Sequence, residues 1–320
     1  MRDAVTLPTL DEVRVAGERL APYIVRTPLL RLNFRGARNP IYLKLENLQS
    51  IGSFKIRPMG NVMLSVDKNA LRNGAYTASS GNAGLGLASI AHQLGIAATV
   101  YAPDGGPAAK LEPVRELGAR VCLVGDDQWW TMIEEGRHPA DSGFYVDAVR
   151  NRAAMAGNGT IGLEIVEQLP EVDTVIIPFG GGGIACGIAS VIGALKPDTR
   201  ILVAESDAAA PLSAAFREGR PVRVPVRPSF ISGAGAPMVL NEMWPSIRRL
   251  VDSTVVVSVP DVADAIRLMF LHNRVVAEGA GAIPVAAALG GAGNGTTVCV
   301  VTGGKIDQSI FCNILNRQPL

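Results

Sequence analysis

The sequence predicts an open, mostly parallel α/β fold, and two observations indicate this class. Short runs rich in valine and isoleucine alternate with longer segments of helical periodicity along the 320 residues. The short runs are nearly continuous in apolar character, which is typical of strands covered on both faces of a sheet. We predict strands at residues 98–101, 120–124, 174–178, 201–204, 254–259 and 297–302.

Helix signals occupy the segments between the predicted strands. Apolar residues recur at helical spacing from Leu87 to Leu94, and Gly95 is a suitable C-terminal stop. Near the N-terminus, Thr9 and Glu12 have the spacing of a capping box. Open α/β sheets bind ligands where their strands end, so we expect the site in the glycine-rich segments that follow strands.

Composition narrows the class of protein. Hydrophobic residues make up 48% of the chain and charged residues 18%, with a net charge of +1 and no basic block. This balance argues against nucleic acid or an anionic membrane as the main partner. The N-terminus has no apolar signal-like core, and the cysteines lack CxxC spacing. We therefore expect a soluble, cytoplasmic enzyme or binding protein.

The segment Gly52-Ser-Phe-Lys-Ile-Arg57 places a lysine at the start of an apolar, helix-like run. Lys55 is either a solvated charge or a buried amine kept for chemistry, and this segment alone leaves both open. A buried amine loses proton affinity and becomes a better base or nucleophile near neutral pH.

The segment Ser79-Ser-Gly-Asn-Ala-Gly84 directly precedes the helix predicted to end at Leu94. Its small polar residues either cap that helix or present hydroxyls, an amide and backbone N–H groups to a polar ligand. The two interpretations are compatible, because a helix N-terminus also attracts a carboxylate.

Four consecutive glycines, Gly180 to Gly183, separate a predicted strand from a helix candidate. This arrangement is typical of a phosphate site, because backbone N–H groups there can approach an anion closely. The loop also satisfies a loose dinucleotide pattern through Gly180, Gly182 and Ala185, with Glu205 where a ribose-binding acid would lie. A nicotinamide-dependent oxidoreductase and a plain tight turn are therefore alternatives here.

Two weaker segments complete the set. Thr302-Gly-Gly304 follows the last predicted strand with a hydroxyl and paired glycines, which a plain loop would also explain. Glu278 stands among small residues before an apolar run, where a carboxylate can serve a helix N-terminus.

Taken in order, these segments resemble the pyridoxal-phosphate enzymes of fold type II, and most closely the threonine dehydratase and serine racemase group. The resemblance implies two open, mostly parallel α/β domains with the cofactor in the cleft between them. Residues 71–149 would form a small domain, residues 1–70 plus 150–320 a large cofactor-binding domain, and the chain would be a homodimer. The matching segments are residues 43–49, 52–57, 79–82, 156–164, 180–183, 277–280 and 302–304.

The resemblance also implies roles in the site. Lys55 would form a Schiff base with pyridoxal 5'-phosphate and then act as the general base on the substrate's α-proton. The glycine run would hold the phosphate, Asn82 the 3′-oxygen of the ring, and Thr302 would face the ring nitrogen. The cofactor-binding positions implied in this way are Phe54, Lys55, Asn82, Gly180, Gly181, Gly182, Gly183, Glu278 and Thr302.

The hydroxyl at Thr302 favours one reaction class. A neutral partner makes the ring a shallower electron sink than a carboxylate partner would, so β-elimination is favoured over transamination. The expected activity is an ammonia-lyase, or dehydratase, that converts a β-hydroxy amino acid of the threonine or serine type to a 2-oxo acid and ammonia. Ser79, Ser80 and Gly81 would bind the substrate carboxylate. Ser80 also matches an acid–base residue of the racemases, so racemase or β-replacement activity is the alternative.

Three departures from the family pattern bear on the substrate. Ala83 replaces a common histidine on the substrate side, which predicts room for a bulkier substrate such as 3-phenylserine. A segment ending at Asp147 stands near where the family has His-Pro-aromatic. Trp129 and Trp130 have no recognised counterpart, and packing within the small domain or a mobile lid would explain them.

The family's divalent-cation site is doubtful in this sequence. Glu205 and Ala209 fit two of its positions, but Pro211 stands where an acid should follow. Asp207 could replace the missing acid. Glu205 and Ala209 are therefore weak metal candidates, and the sequence favours the absence of a family-type cation site over its presence.

Overall fold

Strands and helices alternate in the computed structural model, which describes residues 3–104 and 108–319. The strands are β1 (Leu29–Arg31), β2 (Ile41–Leu45), β3 (Ala75–Ala78), β4 (Ala98–Pro103), β5 (Arg120–Val124), β6 (Phe144–Tyr145), β7 (Thr174–Pro178), β8 (Arg200–Ser206), β9 (Ser253–Val257) and β10 (Thr297–Val301). The helices are α1 (Leu10–Leu20), α2 (Ile56–Ser65), α3 (Asn82–Leu94), α4 (Ala108–Glu116), α5 (Asp126–Glu135), α6 (Arg152–Gln168), α7 (Gly183–Leu195), α8 (Pro211–Glu218), α9 (Trp244–Leu250), α10 (Val259–Asn273), α11 (Gly279–Leu289) and α12 (Gln308–Asn316).

The strands form two sheets. One has the strand order β1-β2-β10-β7-β8-β9, and the other has the order β5-β4-β3-β6. Within the described ranges, the pairs are parallel except for the edge pair β1 and β2. The central strands β7 and β10 are buried along their whole length, as their continuous apolar sequences predict. The prediction of an open, mostly parallel α/β fold is confirmed.

The sequence located most, but not all, of these strands. All six predicted segments form strands, and residues 120–124 and 174–178 do so within the predicted bounds. No strand was predicted at β1, β2, β3 or β6. Lys44 interrupts the apolar run of β2, and β1 and β6 span only three and two residues.

Helix ends follow the local signals that predicted them. The capping box is present at α1, where the Glu12 N–H donates to Thr9 Oγ1 at 3.3 Å and the Thr9 N–H donates to Glu12 Oε2 at 2.7 Å. Helix α3 ends at Leu94, and Gly95 follows in the left-handed region with φ of 66°. Among the described helices, none is long and apolar enough to span a bilayer.

Helix α2 packs against α3 and α6 and sets the position of the lysine that precedes it. Its buried face, including Ile56 and Met59, shares one apolar cluster with Leu87 and Ile90 of α3. The limits proposed for the two domains remain a prediction.

Candidate active site

A cavity of about 330 Å³ opens where the carboxyl ends of both sheets meet. The segments that follow β3, β6, β7 and β10 line it, together with the residues that lead into α2. Parallel sheets expose loop backbone and helix N-termini at this edge, which makes it the usual place for ligands.

The cavity lining contains every predicted cofactor- and substrate-site residue. The metal candidates Glu205 and Ala209 are not part of it. The predicted residues that it brings together are Phe54, Lys55, Ser79, Ser80, Gly81, Asn82, Ala83, Gly180, Gly181, Gly182, Gly183, Glu278 and Thr302.

Hydrogen bonds to the exit of β10 hold the segment that carries Lys55. The Phe54 N–H donates to Thr302 O at 3.0 Å, and the Gly304 N–H donates to Gly52 O at 3.0 Å. Gly52 has φ of 71°, in the left-handed region that glycine adopts most easily. The lysine therefore stands at the N-terminus of α2 on a backbone fixed to the strand that ends at the cavity.

The amine of Lys55 is electrostatically suited to act as a base. Burial lowers its pKa to about 8, while the carboxylates of Asp147 and Glu278 act in the opposite direction. Its Nζ lies 4.9 Å from the centroid of the Phe54 ring. A useful fraction of this amine is therefore unprotonated near neutral pH, in contrast to a solvated lysine.

A buried ionic cluster anchors the start of α2. Arg57 donates to both oxygens of Glu46 at 2.8 Å and to Glu164 Oε1 at 2.7 Å, and Lys44 pairs with the other oxygen of Glu164. Burial alone would raise the pKa of Glu46, but the Arg57 guanidinium outweighs it and holds this pKa below the usual 4.5. The cluster joins β2, α2 and α6 directly behind Lys55. These four residues lie in segments that match the family pattern, but the sequence alone did not indicate that their side chains contact one another.

The segment before α3 both caps that helix and faces the cavity. Ser79 Oγ accepts hydrogen bonds from the N–H groups of Gly81 at 3.1 Å and Gly84 at 2.9 Å. Asn82 Nδ2 donates to Glu278 Oε1 at 2.7 Å, which joins α3 to the start of α11. The capping interpretation is confirmed, and Ser80 lines the same cavity.

The four-glycine loop presents backbone to the cavity because side chains would not fit there. Gly182 has φ of 91°, and a Cβ on it would lie 2.5 Å from Ile247 Cδ1. A Cβ on Gly180 would lie 2.7 Å from Gly233 O. Helix α7 begins at Gly183, so its first N–H groups and its dipole are available to an anion.

The residues of this cavity fit pyridoxal 5'-phosphate. The glycine loop and the α7 N-terminus suit a phosphate, the Lys55 amine suits an aldehyde, and the Thr302 hydroxyl suits a ring nitrogen. An anion site, a lysine with a lowered pKa and a neutral hydroxyl thus occur together in one cavity, and this combination is specific for such a cofactor.

The residues near Glu205 do not fit a cation. The Glu205 carboxylate accepts from the N–H groups of Leu212 and Ser213, each at 2.7 Å, and from Ser213 Oγ at 2.6 Å. The Glu205 carboxylate therefore caps the N-terminus of α8, which starts at Pro211. Among residues 3–104 and 108–319, no group of three or more potential metal ligands occurs.

Sequence reasoning missed part of the lining. Trp129, Trp130 and Ile133 of α5 and Met238 and Leu240 before α9 also face the cavity. The paired tryptophans were noticed in the sequence, but no spacing rule connected α5 to the glycine loop.

Comparison with known proteins identifies the family. The family model described as "Pyridoxal-phosphate dependent enzyme" matches residues 20–303. The chain belongs to this family. Its cofactor is therefore pyridoxal phosphate, and the nicotinamide alternative for the glycine loop is not favoured.

Individual relatives agree with this assignment. An L-threonine ammonia-lyase of Geobacter sulfurreducens is 36% identical over 312 residues, covering 95% of this chain and 77% of the relative. A catabolic L-threonine dehydratase of Escherichia coli is 34% identical over 308 residues, covering 94% of each chain. The solved structure of maize serine racemase has a TM-score of 0.88 at 28% identity and covers 98% of each chain. The fold is that of the fold type II enzymes, as the sequence predicted.

Proposed function

We propose that this chain is an ammonia-lyase that converts a β-hydroxy amino acid to a 2-oxo acid and ammonia. The observation that carries the proposal is that Lys55, Ser80, Asn82 and Thr302 share one cavity with the four-glycine loop. The names of the relatives, threonine ammonia-lyase and threonine dehydratase, support the same reaction class.

Bound pyridoxal phosphate supplies the electron sink that makes the substrate's α-proton acidic. The chain's residues do the rest. Lys55 Nζ, whose pKa burial lowers to about 8, would hold the cofactor and would serve as the base for the substrate's α-proton. The hydroxyl of Ser80 and the first N–H groups of α3 bind the substrate carboxylate at a helix N-terminus.

Two further residues would act on the ring, and Thr302 would bias the outcome towards elimination. Thr302 offers the ring nitrogen a neutral hydroxyl, which limits charge delocalisation away from the α-carbon. Asn82, fixed by its bond to Glu278, holds the 3′-oxygen side of the ring. The β-hydroxyl would leave as water together with the proton taken from the α-carbon. The released enamine would tautomerise to an imine and react with water to give the 2-oxo acid and ammonia. The overall conversion is redox-neutral.

A bulky substrate such as 3-phenylserine is the finer form of this proposal. Ala83 leaves space on the substrate side, where a histidine would fill it, and the cavity continues to aromatic side chains of α5. Small β-hydroxy amino acids would bind without filling this space.

Racemisation is the second candidate activity. Ser80 lines the same cavity as Lys55, and a hydroxyl opposite the lysine could return a proton to the other face of the α-carbon. Maize serine racemase shares the fold across nearly the whole chain.

One assay panel tests these activities. The purified holoenzyme is incubated with serine, threonine and 3-phenylserine isomers, and ammonia, 2-oxo acid and chirality are measured. We expect equal amounts of ammonia and 2-oxo acid from at least one of them, and none with Lys55→Ala. Inversion without ammonia would replace the lyase with a racemase, and no reaction in the whole panel would refute the proposal.

A further inference from the structure

Helix α5 forms one wall of the active-site cavity. Trp129, Trp130 and Ile133, which we call the α5 wall, line the cavity from this helix, and Met238 and Leu240 line it from the segment before α9. All five side chains are uncharged. A surface of this kind stabilises a bulky apolar group by removing it from water.

The charged side chains of the described lining are already engaged. Lys55 is the cofactor amine, Asp147 accepts from Arg150 Nε at 2.6 Å, and Glu278 accepts from Asn82 Nδ2 at 2.7 Å. A second carboxylate on the substrate would therefore lose water at the α5 wall without gaining a free cation from the described lining, because the nearby Arg150 is already paired with Asp147 and Glu242.

Arg150 fixes the α5 wall in place. Its guanidinium donates to the carbonyl oxygens of Ile133 at 2.5 Å and Glu134 at 2.8 Å, at the C-terminus of α5. It also pairs with Asp147 at 2.6 Å and with Glu242 at 2.9 Å, while only 8% of its side chain is exposed. A cation at a helix C-terminus is favourable, and these bonds tie α5 to segments on both sides of the cavity. The wall is thus held by hydrogen bonds at the C-terminus of α5.

The two indole nitrogens of the α5 wall differ in their bonding. Trp130 Nε1 donates to Glu134 Oε1 at 2.7 Å, whereas Trp129 Nε1 is buried and has no hydrogen-bond partner in the described part of the chain.

These observations deepen the proposed function and rest on it. We infer that the α5 wall determines substrate choice, accepting β-hydroxy amino acids with a large uncharged β-substituent and excluding those with a charged one. Arg150 is the positioning residue that sets the wall against the substrate's β-substituent.

Turnover by the holoenzyme gives the first test. We expect kcat/KM for 3-phenylserine to exceed the values for threonine and 3-hydroxyaspartate by about tenfold or more, the scale of burying one aromatic ring. Trp129→Ala should remove most of this preference, and Ile133→Arg should raise the relative kcat/KM for 3-hydroxyaspartate. Trp244→Phe is the matched control, because Trp244 lies outside the described cavity lining. The inference would be overturned if Trp129→Ala and Ile133→Arg each lowered kcat/KM equally for all three substrates. A wild-type preference for 3-hydroxyaspartate would also overturn it.

Binding without turnover separates this inference from the proposed function. Phenylalanine, alanine and aspartate lack a β-hydroxyl, so calorimetry with the holoenzyme measures their binding even if no lyase activity exists. We expect phenylalanine to bind more tightly than the other two, and Trp129→Ala to abolish that difference. If the assay panel shows no reaction but phenylalanine still binds more tightly than alanine and aspartate, only the proposed lyase activity is refuted. Equal affinities, or an unchanged preference in Trp129→Ala, would refute the α5 wall.

Discussion

The guanidinium of Arg57 donates to both carboxylate oxygens of Glu46 at 2.8 Å, and neither side chain is exposed. Arg57 lies two residues beyond Lys55, and its bonds to Glu46 join α2 to the segment after β2. Removing one member leaves the other charge buried without its partner, which costs about 3–5 kcal/mol.

We therefore expect Glu46→Gln to lower the free energy of unfolding by several times the effect of Glu12→Gln. Glu12 is the matched control, because its pair with Arg152 at 2.7 Å is about half exposed and such pairs contribute about 0–1 kcal/mol. Urea denaturation of the cofactor-free protein compares the two variants. Similar small effects would show that the buried cluster does not anchor α2.

This cluster also shows where sequence analysis stops. The continuous apolar runs were enough to locate β7 and β10, and the ordered motifs were enough to collect the cavity residues. The bond between Lys44 and Glu164 joins positions 120 residues apart, and no local pattern encodes such a contact. The α5 wall was missed for the same reason, because its role depends on how the two sheets pack.

The homodimer, the cytoplasmic location, the domain limits and the individual roles of the site residues stay predictions.

The pKa of Lys55 gives a second prediction. The Asp147 carboxylate raises this pKa against the larger lowering by burial, so Asp147→Asn should move it below about 8. The rate at which the cofactor-free protein binds pyridoxal phosphate should rise with pH as the amine loses its proton. The midpoint of this pH dependence should lie at lower pH in Asp147→Asn than in the wild type. Asp126→Asn on the exposed surface of α5 is the control. An unchanged or higher midpoint in Asp147→Asn would contradict this electrostatic account.

The glycine loop predicts a loss of cofactor affinity. Gly182→Ala places a Cβ at φ of 91° and 2.5 Å from Ile247 Cδ1, so the loop must shift away from its phosphate-binding shape. We expect at least a fivefold weaker affinity for pyridoxal phosphate, equivalent to about 1 kcal/mol. Equilibrium dialysis measures it. Gly193→Ala, in the same helix with nothing within 4 Å of its added Cβ, should bind the cofactor normally. Equal affinities in the two variants would exclude the loop as the phosphate site.

Chelation should have no effect on this protein. The Glu205 carboxylate is occupied by donors at the start of α8, so EDTA and added magnesium should leave both the melting temperature and the activity unchanged. Glu205→Gln should lower the melting temperature equally with and without EDTA. A stabilisation by magnesium that Glu205→Gln abolishes would show that the carboxylate binds a cation after all.

The central claim is that Lys55 is the residue that carries pyridoxal phosphate. Borohydride reduction of the yellow holoenzyme, followed by peptide mass mapping, tests it most directly, because reduction makes the attachment permanent. The account predicts a single phosphopyridoxyl group on Lys55 and none on Lys44 or Lys305, two other lysines whose pKa burial lowers. A modified Lys44 or Lys305 with an unmodified Lys55 would contradict it.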